Sequence, residues 1–180
     1  LRSLKATKSI FLVTNGQEPD MIQRLQDEDA LPTQLYLSTN AADYESFMRI
    51  NKPKYDDSWE RWNRTLYMLK DLKTRTVLRI TLIRDYNDQK ESIPAFAEMF
   101  RKASPHFIEI KSYMHIGRST NRLEHANMLE MEEVKKFSEE IVNQSKIFSI
   151  MDESIVSRIS ILQNNERFID RYIPTYANTS

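Results

Sequence analysis

Four short runs rich in β-branched and aromatic residues, at 10–14, 35–39, 77–83 and 107–111, each give way to turn or capping residues and then to apolar positions at helical spacing. Alternation in the fourth run places Phe107, Glu109 and Lys111 on one face of a strand and Ile108 and Ile110 on the other. The helical stripes are Trp59, Trp62, Leu66 and Leu69, then Ile93, Phe96, Ala97 and Phe100, then Met131, Val134, Phe137 and Ile141, each giving one apolar face. Two further short strands are expected near 147–151 and 158–162, and no linker divides the chain. Strand and helix alternation predicts an α/β protein of parallel βα repeats with right-handed crossovers, either an open sheet or an arc of a barrel. One domain is expected over 1–163, with a polar tail over 164–180.

In both architectures ligands gather at the carboxyl ends of the strands. The polar residues there are Thr14, Asn15 and Gly16, then Ser38, Thr39 and Asn40, then Arg79, Thr81 and Arg84, and finally Lys111 and His115. For Asn15 and Asn40 helix capping explains the residue type as well as ligand binding does. Arg79 is different, because Leu78, Ile80 and Leu82 occupy the opposite strand face; a mid-strand arginine of this kind reads as a ligand for an anion or carboxylate. Glu109 and Lys111 either form a structural ion pair or line a wet cavity that handles polar substrates. The fourth strand releases Lys111, His115, Arg118 and Arg122 within a dozen residues, as an active-site edge does, although solvated loop residues would give the same pattern.

Composition narrows the classes. A chain of 180 residues holds one core. Its 26 basic and 26 acidic residues cancel, so any RNA contact must come from a local patch. No apolar run approaches the roughly 18 residues of a membrane span, and the first residues lack a signal-peptide core, so a cytoplasmic location without a membrane is expected. With no cysteine, disulfides, thiolate zinc sites and a chain-encoded iron–sulfur cluster are excluded.

Six segments in fixed order carry a family resemblance: Phe11-Leu-Val-Thr-Asn-Gly16, Thr33-Gln-Leu-Tyr-Leu-Ser38, Ile50-Asn-Lys-Pro53 leading to Ser58-Trp-Glu-Arg61, Arg75-Thr-Val-Leu-Arg-Ile-Thr-Leu82, Phe107-Ile-Glu-Ile-Lys111 with Tyr113-Met-His-Ile-Gly117, and Ser157-Arg158. Together they resemble the later part of a radical S-adenosylmethionine (SAM) (β/α)6-type barrel, specifically the tRNA wybutosine-synthesising 4-demethylwyosine synthase family in its archaeal branch. The resemblance implies condensation of N1-methylguanosine at position 37 of tRNA(Phe) with pyruvate, driven by SAM and a 4Fe-4S cluster, with the radical chemistry residing in the cofactors. It also implies roles. Thr14, Ser38 and Asn40 fall where related barrels contact SAM, Arg79 with Thr81 where the SAM carboxylate or the substrate is met, and Lys111 where a lysine forms a Schiff base with pyruvate. His115, Arg118 and Arg122 fall toward the tRNA.

The chain departs from the family in lacking the Cys-x3-Cys-x2-Cys loop and the Gly-Gly-Glu-Pro-like SAM motif, and Ser112 stands where the family tends to have glycine. Its first strand corresponds to the third of the barrel, and its opening residues read as the end of the preceding helix. A carboxyl-terminal fragment is therefore expected, inactive without an amino-terminal half or second chain that carries the cluster. A non-catalytic module that binds tRNA or a partner is the alternative, and a cluster-free aldolase-like protein using Lys111 a weaker one.

Overall fold

Every expected strand forms, and its alternation decides which face is covered. The computed structural model describes residues 7–173. It runs β1 (Phe11–Thr14), α1 (Pro19–Asp27), β2 (Gln34–Ser38), α2 (Tyr44–Asn51), α3 (Ser58–Met68), β3 (Arg75–Leu82), α4 (Ile93–Ala103), β4 (Phe107–Ser112), α5 (Met131–Ser145), β5 (Phe148–Ser154) and β6 (Ile159–Asn164). One sheet holds the strands in the order β1-β2-β3-β4-β6-β5, parallel from β1 to β4.

The last pair departs from the parallel repeat. Only residues 155–158 join β5 to β6, far fewer than the dozen or so a parallel crossover needs, so the two form an antiparallel hairpin. It is β6, not β5, that docks on β4, also antiparallel.

On one face Leu35, Leu37, Leu78, Ile80, Leu82 and Ile108 are fully buried against helix residues such as Trp62, Leu66, Phe96, Phe100, Val134 and Ile141. Removing each such side chain from water contributes about 1.5–3 kcal/mol. Polar residues set the helix ends. The Asp43 carboxylate accepts the Ser46 N–H at 2.9 Å ahead of α2, and at the start of α5 the Glu133 carboxylate accepts the Glu130 N–H at 2.8 Å. With only two glycines in the chain, α2, α4 and α5 end instead on Lys52, Ser104 and Lys146 in the left-handed region, each at a cost of roughly 1 kcal/mol.

The opposite face carries the alternate residues and contributes none to that core. At its amino-terminal end the chain folds back after β6. Gln163 donates to the Ile169 carbonyl, Arg75 to the carbonyls of Asp170 and Arg171, and Arg171 pairs with Asp152. The tail expected from 164 thus begins inside the sheet: Asn164 is buried in β6 and donates to the Pro105 carbonyl at 2.9 Å. The helix end expected at the opening residues and the last seven residues of the tail lie outside the described residues. No helix among the described residues is long and apolar enough to cross a membrane.

His106, just before β4, accepts the Thr76 N–H on Nδ1 at 3.1 Å. Burial, then the charges of Arg167 and Arg75, push its pKa from 6.5 down to about 4. Above the unfolded value both states are neutral; as pH falls toward 4 only the unfolded chain takes the proton, and stability is lost. For this half-buried ring we expect a loss of about 1–2 kcal/mol between pH 6.5 and 4. His106→Asn, which keeps an acceptor for Thr76 but cannot titrate, should flatten that part of the urea-midpoint profile.

Candidate functional site

Strand register assembles the open face in rows. One row reads Ser38, Arg79, Glu109, Ile161 and Asp152; the next, nearer the carboxyl ends of the parallel strands, reads Thr81, Lys111, Ile159 and Ser154. Arg79 Nε donates to Glu109 Oε1 at 2.8 Å, and Nη2 lies 3.5 Å from Oε2. The guanidinium also sits 4.5 Å from the centre of the Tyr36 ring. Burial, then the Glu109 carboxylate, holds the Tyr36 phenol above its ordinary pKa. The carboxylate that shares a face with Lys111 is therefore paired, but with Arg79 on the neighbouring strand.

Lys111 is half-buried and, among the described residues, its amine makes no hydrogen bond or ion pair. The hydroxyls of Thr81, directly across from it, and of Ser38 make none either. A basic amine, two hydroxyls and an incompletely used guanidinium thus face the same side of one rigid sheet. Strand positions of this kind suit a polar, carboxylate-bearing ligand.

The loops at the carboxyl ends are tied together. Asn40 Oδ1 accepts the Thr81 N–H at 3.1 Å, while the buried Asn87 donates to the carbonyls of Asn40 and Thr81, both at 2.9 Å, and accepts the Ile83 N–H at 2.7 Å. Asn40 thereby braces β2 against β3, a role separate from capping. Thr14 has the register of Leu37 on the helix-covered face, apart from the rows above, and its hydroxyl accepts the Gly16 N–H at 3.0 Å.

Gly16 has φ of 76°, and a Cβ there would lie 2.7 Å from Leu37 Cδ1 and 3.1 Å from Trp62 Cδ1. Gly16→Ala is expected to cost about 2–4 kcal/mol in denaturant unfolding, from the left-handed backbone and overpacking together.

A cavity of about 470 Å³ opens at the ends of β1 and β2, lined among others by Asn15, Gln17, Ser38, Asn40, Lys52 and Tyr55. Gln17 Oε1 is buried there without a hydrogen-bond partner, while its Nε2 donates to the Ser58 carbonyl at 3.0 Å.

Beyond β4 the chain forms a long loop back to α5. Ser112 pins it, accepting the Leu129 N–H at 2.9 Å and donating to the Tyr113 carbonyl at 3.0 Å, which gives the serine a structural reason. His115 Nδ1 lies 3.1 Å from the Tyr113 hydroxyl, and its ring meets that of His125 at 6.1 Å. Arg118 and Arg122 are exposed, whereas Arg84 is taken up by Glu133 and the Met128 carbonyl. Sequence reading passed over Tyr36, Gln17 and Asn87 as site residues, and it named Glu109 only together with Lys111, as an ion pair or as the lining of a wet cavity. The parity of Glu109 with Lys111 was visible in the sequence, but its pairing with Arg79 depends on the β3/β4 register. No group of three or more potential metal-binding His, Asp or Glu side chains occurs among the described residues.

The family model for wyosine base formation matches residues 102–164. The tRNA 4-demethylwyosine synthase of Pyrococcus abyssi is 39% identical over 156 residues, covering 87% of this chain and 45% of the relative. A solved structure described as TYW1 with a lysine-pyruvate adduct bound is 41% identical with a TM-score of 0.76, over 88% of this chain and 48% of that one. Coproporphyrinogen III oxidase (HemN) of Escherichia coli, described as a radical SAM enzyme, is 13% identical with a TM-score of 0.54 over 87% of this chain and 35% of that one, a likeness of fold alone. The chain spans under half the length of the two wyosine-related proteins.

Proposed function

Because the chain belongs to the tRNA 4-demethylwyosine synthase family, we propose that it supplies the substrate-facing part of such an enzyme, which joins pyruvate to N1-methylguanosine in tRNA(Phe). The observation that carries this reading is the amine of Lys111, unpaired among the described residues, on the open face beside Arg79 and Thr81; among the described residues it is the only lysine in a strand. Its support from a relative is the lysine-pyruvate adduct named for the TYW1 structure. On this reading Lys111 holds pyruvate as a Schiff base, the strand scaffold keeps it at a fixed depth, and the loop bearing His115, Arg118 and Arg122 receives the tRNA.

S-adenosylmethionine fits the residues present. The cavity at the ends of β1 and β2 offers the orphaned Gln17 oxygen and the Ser38 hydroxyl as acceptors for its amino group or ribose, with Thr14 and Asn40 fixing the loops that form the wall. When bound and reductively cleaved, SAM supplies the radical that activates the N-methyl group. A 4Fe-4S cluster does not fit, since its three thiolates have no source in a chain without cysteine. We therefore assign the cluster to a polypeptide segment or partner chain bearing those thiolates.

Combining the chain with the cysteine-bearing portion of an archaeal relative, reconstituting the cluster anaerobically and supplying methylguanosine tRNA with pyruvate should give a tricyclic base in nucleoside mass spectra. No such product with the cluster intact would overturn the reading. Salt-sensitive tRNA binding in that case would favour the non-catalytic module to which the missing cysteines also point.

A further inference from the structure

We propose that Arg79 and Glu109 work as a pair on a 2-keto acid: Arg79 receives its carboxylate, and Glu109 carries protons between the Lys111 nitrogen and the departing carbonyl oxygen. The proposal rests on the reading of Lys111 above and extends it to the two neighbours that a Schiff base needs.

The guanidinium has five N–H donors in a rigid fork. Glu109 engages those on Nε and, weakly, Nη2, and among the described residues Nη1 has no acceptor. Tyr36 stacks at 4.5 Å and keeps the plane of the fork from swinging. The Glu109 side chain retains only 11% exposure and that of Arg79 30%. Withdrawing such a pair from water is repaid poorly in stability, so a purely structural role explains it badly. Lys111 lies one row nearer the carboxyl ends, two residues from Glu109 on the same strand face, a Cα separation of roughly 6.6 Å, and diagonally across from Arg79. On this proposal a three-carbon keto acid held by its carboxylate on the fork extends its ketone along the face toward the next row, which Lys111 occupies.

The step balances without a co-reactant. The Lys111 ammonium gives a proton to Glu109, whose hold on Arg79 weakens as the incoming carboxylate takes the fork. The free amine attacks the ketone carbon, forming a C–N bond while the C=O π pair moves to oxygen, and Glu109 returns the proton to that oxygen. A second nitrogen proton follows the same path, the C–O bond breaks and water leaves. Of the three ammonium protons one stays on the iminium and two leave in the water, so net charge is unchanged.

The test compares borohydride trapping of pyruvate with that of hydroxyacetone, a neutral ketone of similar size, using the 180-residue chain. Arg79→Gln should lower pyruvate trapping by about 10–100-fold and hydroxyacetone trapping far less. Glu109→Gln should slow both while keeping the carboxylate preference, and should flatten the pH profile of trapping. If Arg79→Gln does not fold, Arg79→Lys, which keeps the ion pair but lacks the fork, should lose the same preference in part. Equal loss of both adducts in the Arg79 variants, or unchanged rates in Glu109→Gln, would overturn the proposal. A separate arm tests the receptor without the Schiff base: in Lys111→Met, pyruvate and not hydroxyacetone should protect Arg79 from phenylglyoxal, read by peptide mass spectrometry. Protection without any Lys111 adduct in the unaltered chain would support the receptor and overturn the lysine assignment; no protection would overturn the receptor.

Discussion

Lys111→Met is expected to reduce borohydride-trapped pyruvate to the background set by exposed lysines, with the fold left intact. The amine has no hydrogen bond or ion pair among the described residues, so exchanging it for a thioether of similar length strands no buried partner. The unfolding free energy should stay within about 0.5 kcal/mol of that of the unaltered chain. Lys111→Arg sharpens the test, since a guanidinium keeps the positive charge but stays protonated and cannot act as the nucleophile. If charge alone held pyruvate, the arginine variant would still bind it; if covalent capture matters, it should fail as completely as methionine. Trapping that persists in Lys111→Met and maps to another lysine would remove Lys111 from the site.

Trp62→Ala is expected to be the most damaging single change to the scaffold, at about 3–5 kcal/mol by chemical denaturation. The indole is 1% exposed, stacks on Trp59 at 5.3 Å and meets Phe47 at 5.5 Å, so its loss opens a void where α2, α3 and the sheet converge. Its Nε1 also donates to the Ser38 carbonyl at 3.1 Å, at the mouth of the cavity beyond β1 and β2. Trp62→Phe separates the two effects. It retains most of the apolar volume and should cost less, while leaving the Ser38 carbonyl without its donor. Equal losses in both variants would assign the effect to the hydrogen bond; a near-neutral alanine variant would show that the indole is not part of the folding core.

Much of the scaffold was legible because it obeys local rules. The alternation around Leu78, Ile80 and Leu82 and around Ile108 and Ile110 marks strand faces that must be covered, and the stripe from Trp59 to Leu69 marks a helix that covers them. The closing hairpin was less legible. A short strand near 158–162 looks the same whether it pairs parallel or antiparallel, and only the brevity of the 155–158 turn decides it. The Asn87 brace was also hidden: a polar residue in a turn carries no mark of the backbone carbonyl 47 residues away that it will satisfy.

The site divides in the same manner. Sequence by itself determined that Arg79 lies on the strand face opposite Leu78 and Ile80, and that Glu109 and Lys111 share a face two residues apart, because side-chain direction along a strand has a period of two. It also determined that no thiolate in this chain can hold a cluster. Tertiary structure alone decided that Glu109 meets Arg79, that Thr81 faces Lys111 and that the lysine amine has no partner among the described residues. Those outcomes depend on the register between β3 and β4, since a slip of one residue in either strand would have turned that strand's side chains to the other face.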